Sequence, residues 1–147
     1  MTLHILRLAF GIRDLAHLRQ VLARRVQPDA EGRPSVVVTT RNHPRRSDEV
    51  LDGGSLYWIV KGQIRARQRI LAIEDVAPPA QADGPPARPR CAFRLDPDLV
   101  LTRPRPRGAQ QGWRYLRPDD APPDLETGAG GLSPDLASNL RELGLID

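Results

Sequence analysis

The run from Leu56 to Ile73, LYWIVKGQIRARQRILAI, constrains the fold more than any other segment. Two stretches rich in β-branched, aromatic and alternating residues flank a glycine, the pattern of a β-hairpin with strands over Leu56–Gly62 and Ile64–Ile73. With Gly62-Gln63 as the turn, Lys61 pairs with Ile64, Ile59 with Ala66, Tyr57 with Gln68 and Ser55 with Ile70. Across the other face Val60 meets Arg65, Trp58 meets Arg67 and Leu56 meets Arg69. Three arginines then form a row beside an aliphatic–Trp–aliphatic row.

Burying three unpaired guanidiniums would cost several kcal/mol each, so this register predicts a solvated Arg face that Trp58 shares. An indole there could stack a nucleobase while Arg65, Arg67 and Arg69 hold phosphates, with Lys61 and Tyr57 on the opposite face near the turn. The plainer alternative is a packed rim, because Arg stems routinely cover apolar surface. A register shift of one residue would reverse the assignment.

The rest of the chain reads as short elements. LHILRLAF at residues 3–10 is a first strand ending at Gly11, and Asp14 can cap a helix to about Val26 with Leu15, Leu18, Val21 and Leu22 on one stripe. PDAEGRP is a loop, and Ser35–Arg41 is a β-branched strand. A loop with one helical turn after Ser47 leads to Gly53-Gly54. Residues 77–90, APPAQADGPPARPR, are expected to form a mobile proline-rich loop. CAFRL and Leu99–Thr102 follow as short strands, then RPRPRG, whose alternate prolines forbid a central strand. GWRYL is a last strand. Leu132, Ser133 and Pro134 supply a staple, a cap and a first-turn proline for a helix ending at Gly144. The expectation is one α+β domain over 1–147: a small curled, mostly antiparallel sheet or partial barrel with a helix near each end.

Charge is uneven along this order. Residues 1–40 carry net +3, residues 41–117 net +7, and the acidic segment 118–147 net −6. A basic middle suits an anionic partner such as RNA or another nucleic acid. It equally suits a tail folded back over its own basic surface. Of the 22 basic residues all but Lys61 are Arg, whose planar fork pairs bidentately with phosphate. Cys91 is the lone cysteine, which excludes an internal disulfide and fits a reducing cytoplasm. No apolar run reaches half of the ~20 residues a membrane span needs, and MTLHILRLAFGIRDL is too broken by His4 and Arg7 for a signal peptide.

Two further basic clusters join the hairpin. Arg103, Arg105 and Arg107 alternate with proline and are followed by Trp113, Arg114 and Tyr115, while Arg41, Arg45 and Arg46 surround HPRR. A proline-spaced arm keeps its arginines splayed in water. Chemistry is harder to find. There is no GxxxxGK[ST], no GxGxxG, no GxSxG and no CxxC, and His4, His17 and His43 lack metal-ligand spacing. Cys91 reads as a small packed residue. Asp119-Asp120 and the DPD at 96–98 sit beside prolines as turn and cap residues. His43, with Asp48 or Asp52 nearby and Lys61, is the one acid–base group to watch. No cofactor and no metal is implied.

LDGGSLYWIVKG, ARQRI, QGWRYL and PDDAPPDL together resemble a bacterial family known as domain of unknown function 1489, with the likeness running from TLHILRL to LRELGL. That resemblance carries no established activity. A small curled sheet with flanking helices also looks like the PUA-like folds, which include RNA-binding modules; that is an analogy of fold alone. The reading favoured by these features is a cytoplasmic, non-enzymatic RNA- or nucleic-acid-binding module. Its rival is a small enzyme or a pocket for an anionic molecule such as a nucleotide, in which Gly53-Gly54, His43, Lys61 and QGWRY converge on one cleft. A third is a protein-partner role for the proline arms. An enzyme needs His43 and Lys61 within reach of a common buried point, whereas a binding face needs its arginines spread in the open.

Overall fold

All six residues of SLYWIV at 55–60 are buried, so this strand has no solvent face at all. In the computed structural model, which describes residues 2–76, 90–108, 110 and 112–125, it is an interior strand of an open, mostly antiparallel sheet. The strands are β1 (His4–Leu8), β2 (Val26–Pro28), β3 (Pro34–Thr40), β4 (Ser55–Val60), β5 (Gln63–Val76), β6 (Arg90–Leu95), β7 (Val100–Pro106) and β8 (Trp113–Leu116). Helix α1 (Leu15–Arg24) and the short α2 (Ser47–Leu51) lie among them. The strand order is β2-β3-β6-β5-β4-β1-β8, with β7 pairing β5 off this path. One pair is parallel, β1 with β4, and the sequence pattern did not disclose it. Strands buried on both faces read as unbroken apolar runs, which is how LYWIV can be both hairpin arm and sheet interior.

The two faces of the sheet bury different sets. Leu56, Trp58 and Val60 join Ile5, Val36, Val38 and Phe93 under α1, which contributes Leu15, Leu18 and Leu22 from one stripe. Tyr57 and Ile59 join Leu6, Ile64 and Leu116 on the opposite face. Asp14 caps α1 as its position implies, its carboxylate accepting from the His17 backbone N–H at 2.8 Å. The helix stops at Arg24, and Val26 opens the exposed strand β2 where a continuing helix and loop were expected. The prolines of TRPRPRG are accommodated in β7, which pairs with β5 and makes one isolated bridge, Thr102 to Asp124, on its other side. The proline-rich segment at 77–89 and the helix expected over 134–144 lie outside the described residues.

The hairpin register corrects the sequence reading by one residue. The turn is Lys61-Gly62, with φ of 52° and 74°, the two positive values a type I′ turn requires. Ile59 therefore pairs with Ile64, and an irregularity at Arg65 restores Trp58 opposite Ala66, Tyr57 opposite Arg67 and Ser55 opposite Arg69. The row Leu56–Trp58–Val60 faces the main core beneath α1, where guanidiniums could not be accommodated. Arg67 and Arg69 consequently share the Tyr57 face, and the predicted Arg–Trp row does not form.

Gly54 fixes how α2 meets this sheet. A Cβ there would stand 2.3 Å from both the Leu3 and Val50 carbonyl oxygens, so only glycine fits. Its N–H donates to Val50 O at 2.9 Å, while the Leu3 N–H donates to Glu49 O at 3.1 Å.

Candidate basic cleft

Three hydrogen bonds draw the ends of the sheet together on one side. Arg7 Nη1 on β1 donates to the Thr39 carbonyl on β3 at 3.2 Å. Trp113 Nε1 on β8 donates to the Asn42 carbonyl at 2.8 Å. Gln110 Nε2 donates to the Leu6 carbonyl at 3.0 Å. Between these elements lies a cleft of about 1160 Å³, lined by Arg7, Leu8, Phe10, Thr39, Thr40, Arg41, Asn42, Arg90, Gln110, Gly112 and Trp113.

Among the described residues the lining contains three arginines and no carboxylate. Arg41 and Arg90 stand one step beyond Thr40↔Cys91, the last pair of the β3–β6 ladder. Like charges so placed repel one another. Arg7 is half-buried, and burial followed by the neighbouring Arg25 lowers its pKa from the ordinary arginine value. Arg remains charged in proteins despite such a shift, so the cleft holds several positive charges.

Trp113 is fixed as one wall of this cleft. Its ring meets Phe93 edge-on at 6.2 Å and Tyr115 at 4.9 Å. Tyr115 in turn steadies the loop after β3: its hydroxyl accepts the Arg46 backbone N–H at 3.1 Å, and the Arg46 guanidinium lies 5.9 Å over its ring. Arg46 also pairs with Glu49, so it is partly neutralised. Arg45 is exposed on the same loop.

The other residues singled out in the sequence fall elsewhere. Trp58 is 5% exposed, and its Nε1 donates to Gln68 Oε1 at 2.9 Å, which leaves no stacking surface. Arg65 is 7% exposed at the hairpin irregularity. Arg67 is held by Asp124 in a two-pronged ion pair with both bonds at 2.7 Å, and its Nη1 donates to Ser55 Oγ. Arg69, Arg103, Arg105 and Arg114 are exposed, and Arg105 donates to the Asp120 carbonyl. The first residues of the acidic segment thus lie along β7 and β5, as Arg103 N–H bonded to Pro123 O and Leu125 N–H bonded to Leu101 O also indicate.

The acid–base constellation does not converge. His43 Nδ1 meets Asp75 Oδ1 at 2.9 Å in an exposed pair near the end of β5. Lys61 is exposed in the turn that precedes β5. The two lie at opposite ends of a 14-residue strand, roughly 45 Å along its contour. Asp48 and Asp52 line a separate shallow depression beside α2. Among the described residues no cluster of His, Cys, Asp and Glu could hold a metal ion. Cys91 is buried, and burial raises its pKa, the opposite of what a nucleophilic thiol needs.

Sequence reasoning found Arg41 and Trp113 but missed Arg7, Phe10 and Arg90. The available signals were small: an Arg interrupting the apolar run HILRL, and a Phe placed directly before a turn glycine. No helix among the described residues is long and apolar enough to cross a membrane. Comparison with curated proteins and with solved structures gives no match. A family comparison does, over residues 5–146, and the chain belongs to the family described as protein of unknown function DUF1489.

Proposed function

We propose that the protein binds nucleic acid, RNA foremost, in the cleft between β1, β3 and β8. The observation that carries this reading is a lining with Arg7, Arg41 and Arg90 and, among the described residues, no carboxylate. Positive charges so gathered favour an external anion, and planar guanidiniums match phosphate geometry. The volume of about 1160 Å³ exceeds the roughly 300–1,000 Å³ of pockets that enclose one small molecule, which supports a polymer segment over a free nucleotide. The hairpin arginines become accessory: Arg69 is open, whereas Arg67 is engaged by Asp124. On this reading the protein acts by binding, without a reaction of its own, and the analogy to PUA-like modules belongs to the same proposal.

Fluorescence anisotropy with a labelled single-stranded RNA, titrated with salt, tests it. Affinity should fall steeply as salt rises, and Arg41→Ala/Arg90→Ala should weaken binding and reduce the salt slope by about two phosphate contacts. Arg69→Ala should have a smaller effect. Absence of binding at low salt would reject the proposal.

A further inference from the structure

We infer that the cleft takes its nucleic acid as a single strand, with an unpaired base laid on Phe10. This rests on the proposed nucleic-acid reading and specifies its substrate class. Phe10 is 90% exposed, while the other exposed large apolar residues among those described, Val26, Leu51, Leu71 and Val76, are 37–45% exposed. Its position is rigidly supported. The Ile12 N–H donates to Ala9 O across a tight turn with Phe10 and Gly11 at its tip, and Gly11 has a φ of 74°. Both legs of the turn are anchored, since Ala9 is buried and Ile12 packs against the core. The Ala9 N–H is also bonded to Ile59 O.

The fold therefore holds the tip in place through its backbone and flanking residues, and the phenyl ring contributes nothing to that support. An aromatic ring on a fixed tip, at the edge of a cleft lined by guanidiniums, has the two components of single-strand recognition: a stacking platform and backbone charge. In a duplex the base faces are already stacked on one another, so only an unpaired base can occupy the ring. Trp113 also lines the cleft, but its indole N–H is used by Asn42 O and its edge contacts hold it still. It offers surface without a free donor, which makes base identity secondary.

The test compares three fluorescent ligands of equal length by anisotropy: an oligoadenylate strand, the same sugar–phosphate strand without bases, and the oligoadenylate–oligouridylate duplex. Each is titrated with the full chain, Phe10→Ala and Arg41→Ala/Arg90→Ala. The wild-type protein should bind the adenylate strand on the order of ten-fold more tightly than the abasic strand, and more tightly than the duplex. Phe10→Ala should lose that preference, binding both strands alike, while retaining the wild-type salt slope and circular dichroism spectrum. If the wild-type protein binds with a slope that Arg41→Ala/Arg90→Ala diminishes, yet Phe10→Ala changes nothing, the stacking inference is wrong and the nucleic-acid reading survives. If the wild-type protein binds none of the ligands at low salt, both are wrong.

Discussion

Arg67 Nε and Nη2 donate to the two carboxylate oxygens of Asp124, each at 2.7 Å, tying the acidic segment after β8 to the middle of β5. The hydrogen bond from Arg67, then its charge, lowers the Asp124 pKa. A carboxylate with a depressed folded value stabilises the fold above its unfolded value of 3.8 and loses that contribution as pH falls through the folded one. Asp124 is nearly half exposed, so solvent screening limits the effect to about 1 kcal/mol or less. Asp124→Asn should lower the urea midpoint slightly at pH 7, and the wild-type and variant curves should converge as pH falls below 3.8.

A second pH dependence, nearer neutrality, comes from His4. Its Nδ1 accepts the Ser55 backbone N–H at 3.0 Å, and its ring meets Tyr57 edge-on at 5.0 Å. Burial, and then the charge of Arg67, lower the His4 pKa from 6.5. The neutral ring is therefore the folded form, and protonation would abolish the acceptor. Stability from this contact is full above pH 6.5 and is lost as pH falls through the lower folded value. Denaturant midpoints should drop between pH 7.5 and 5.5, and His4→Gln should flatten that slope while lowering stability at the higher pH.

The Gly53-Gly54 pair separates two reasons for glycine. Gly54→Ala places a methyl group 2.3 Å from two backbone oxygens and should destabilise by about 3 kcal/mol. Gly53 has a φ of 81° and its nearest neighbour at 3.9 Å, so Gly53→Ala should lose only roughly 1–2 kcal/mol, from left-handed strain. Thermal denaturation of the two variants ranks them directly.

Trp58 should behave as a structural residue. Trp58→Phe leaves the buried Gln68 Oε1 without its indole donor, a loss of about 1–3 kcal/mol. RNA affinity should stay at the wild-type value, measured by anisotropy below the variant's melting temperature. A fall in affinity with unchanged stability would return Trp58 to the binding surface.

Local signals in the sequence carried most of the elements. Asp14 before an apolar stripe located α1, and the β-branched run after Pro34 located β3. The hairpin itself was legible, but its register was not. Glycine at φ > 0 is expected, whereas Lys61 at a φ of 52° is a conformation its side chain resists, and nothing in the sequence announces it. That one residue, with the irregularity at Arg65, moves Arg67 and Arg69 to the other face. The parallel β1–β4 pair and the cleft were hidden for a different reason. Arg41 and Arg90 meet at the end of the β3–β6 ladder and Arg7 reaches the same cleft from β1, long-range pairings invisible to any window along the chain.

The place of β1 also orders how the protein can be made. It lies between β4 and β8, so His4–Leu8 lacks its second partner until Trp113–Leu116, far later in the chain, has emerged. At about 5–20 residues per second this leaves one edge of an apolar strand open for several seconds or more during translation. The polypeptide that trails from the exit tunnel in that interval carries an unpaired strand edge, the condition under which a nascent chain is most exposed to aggregation.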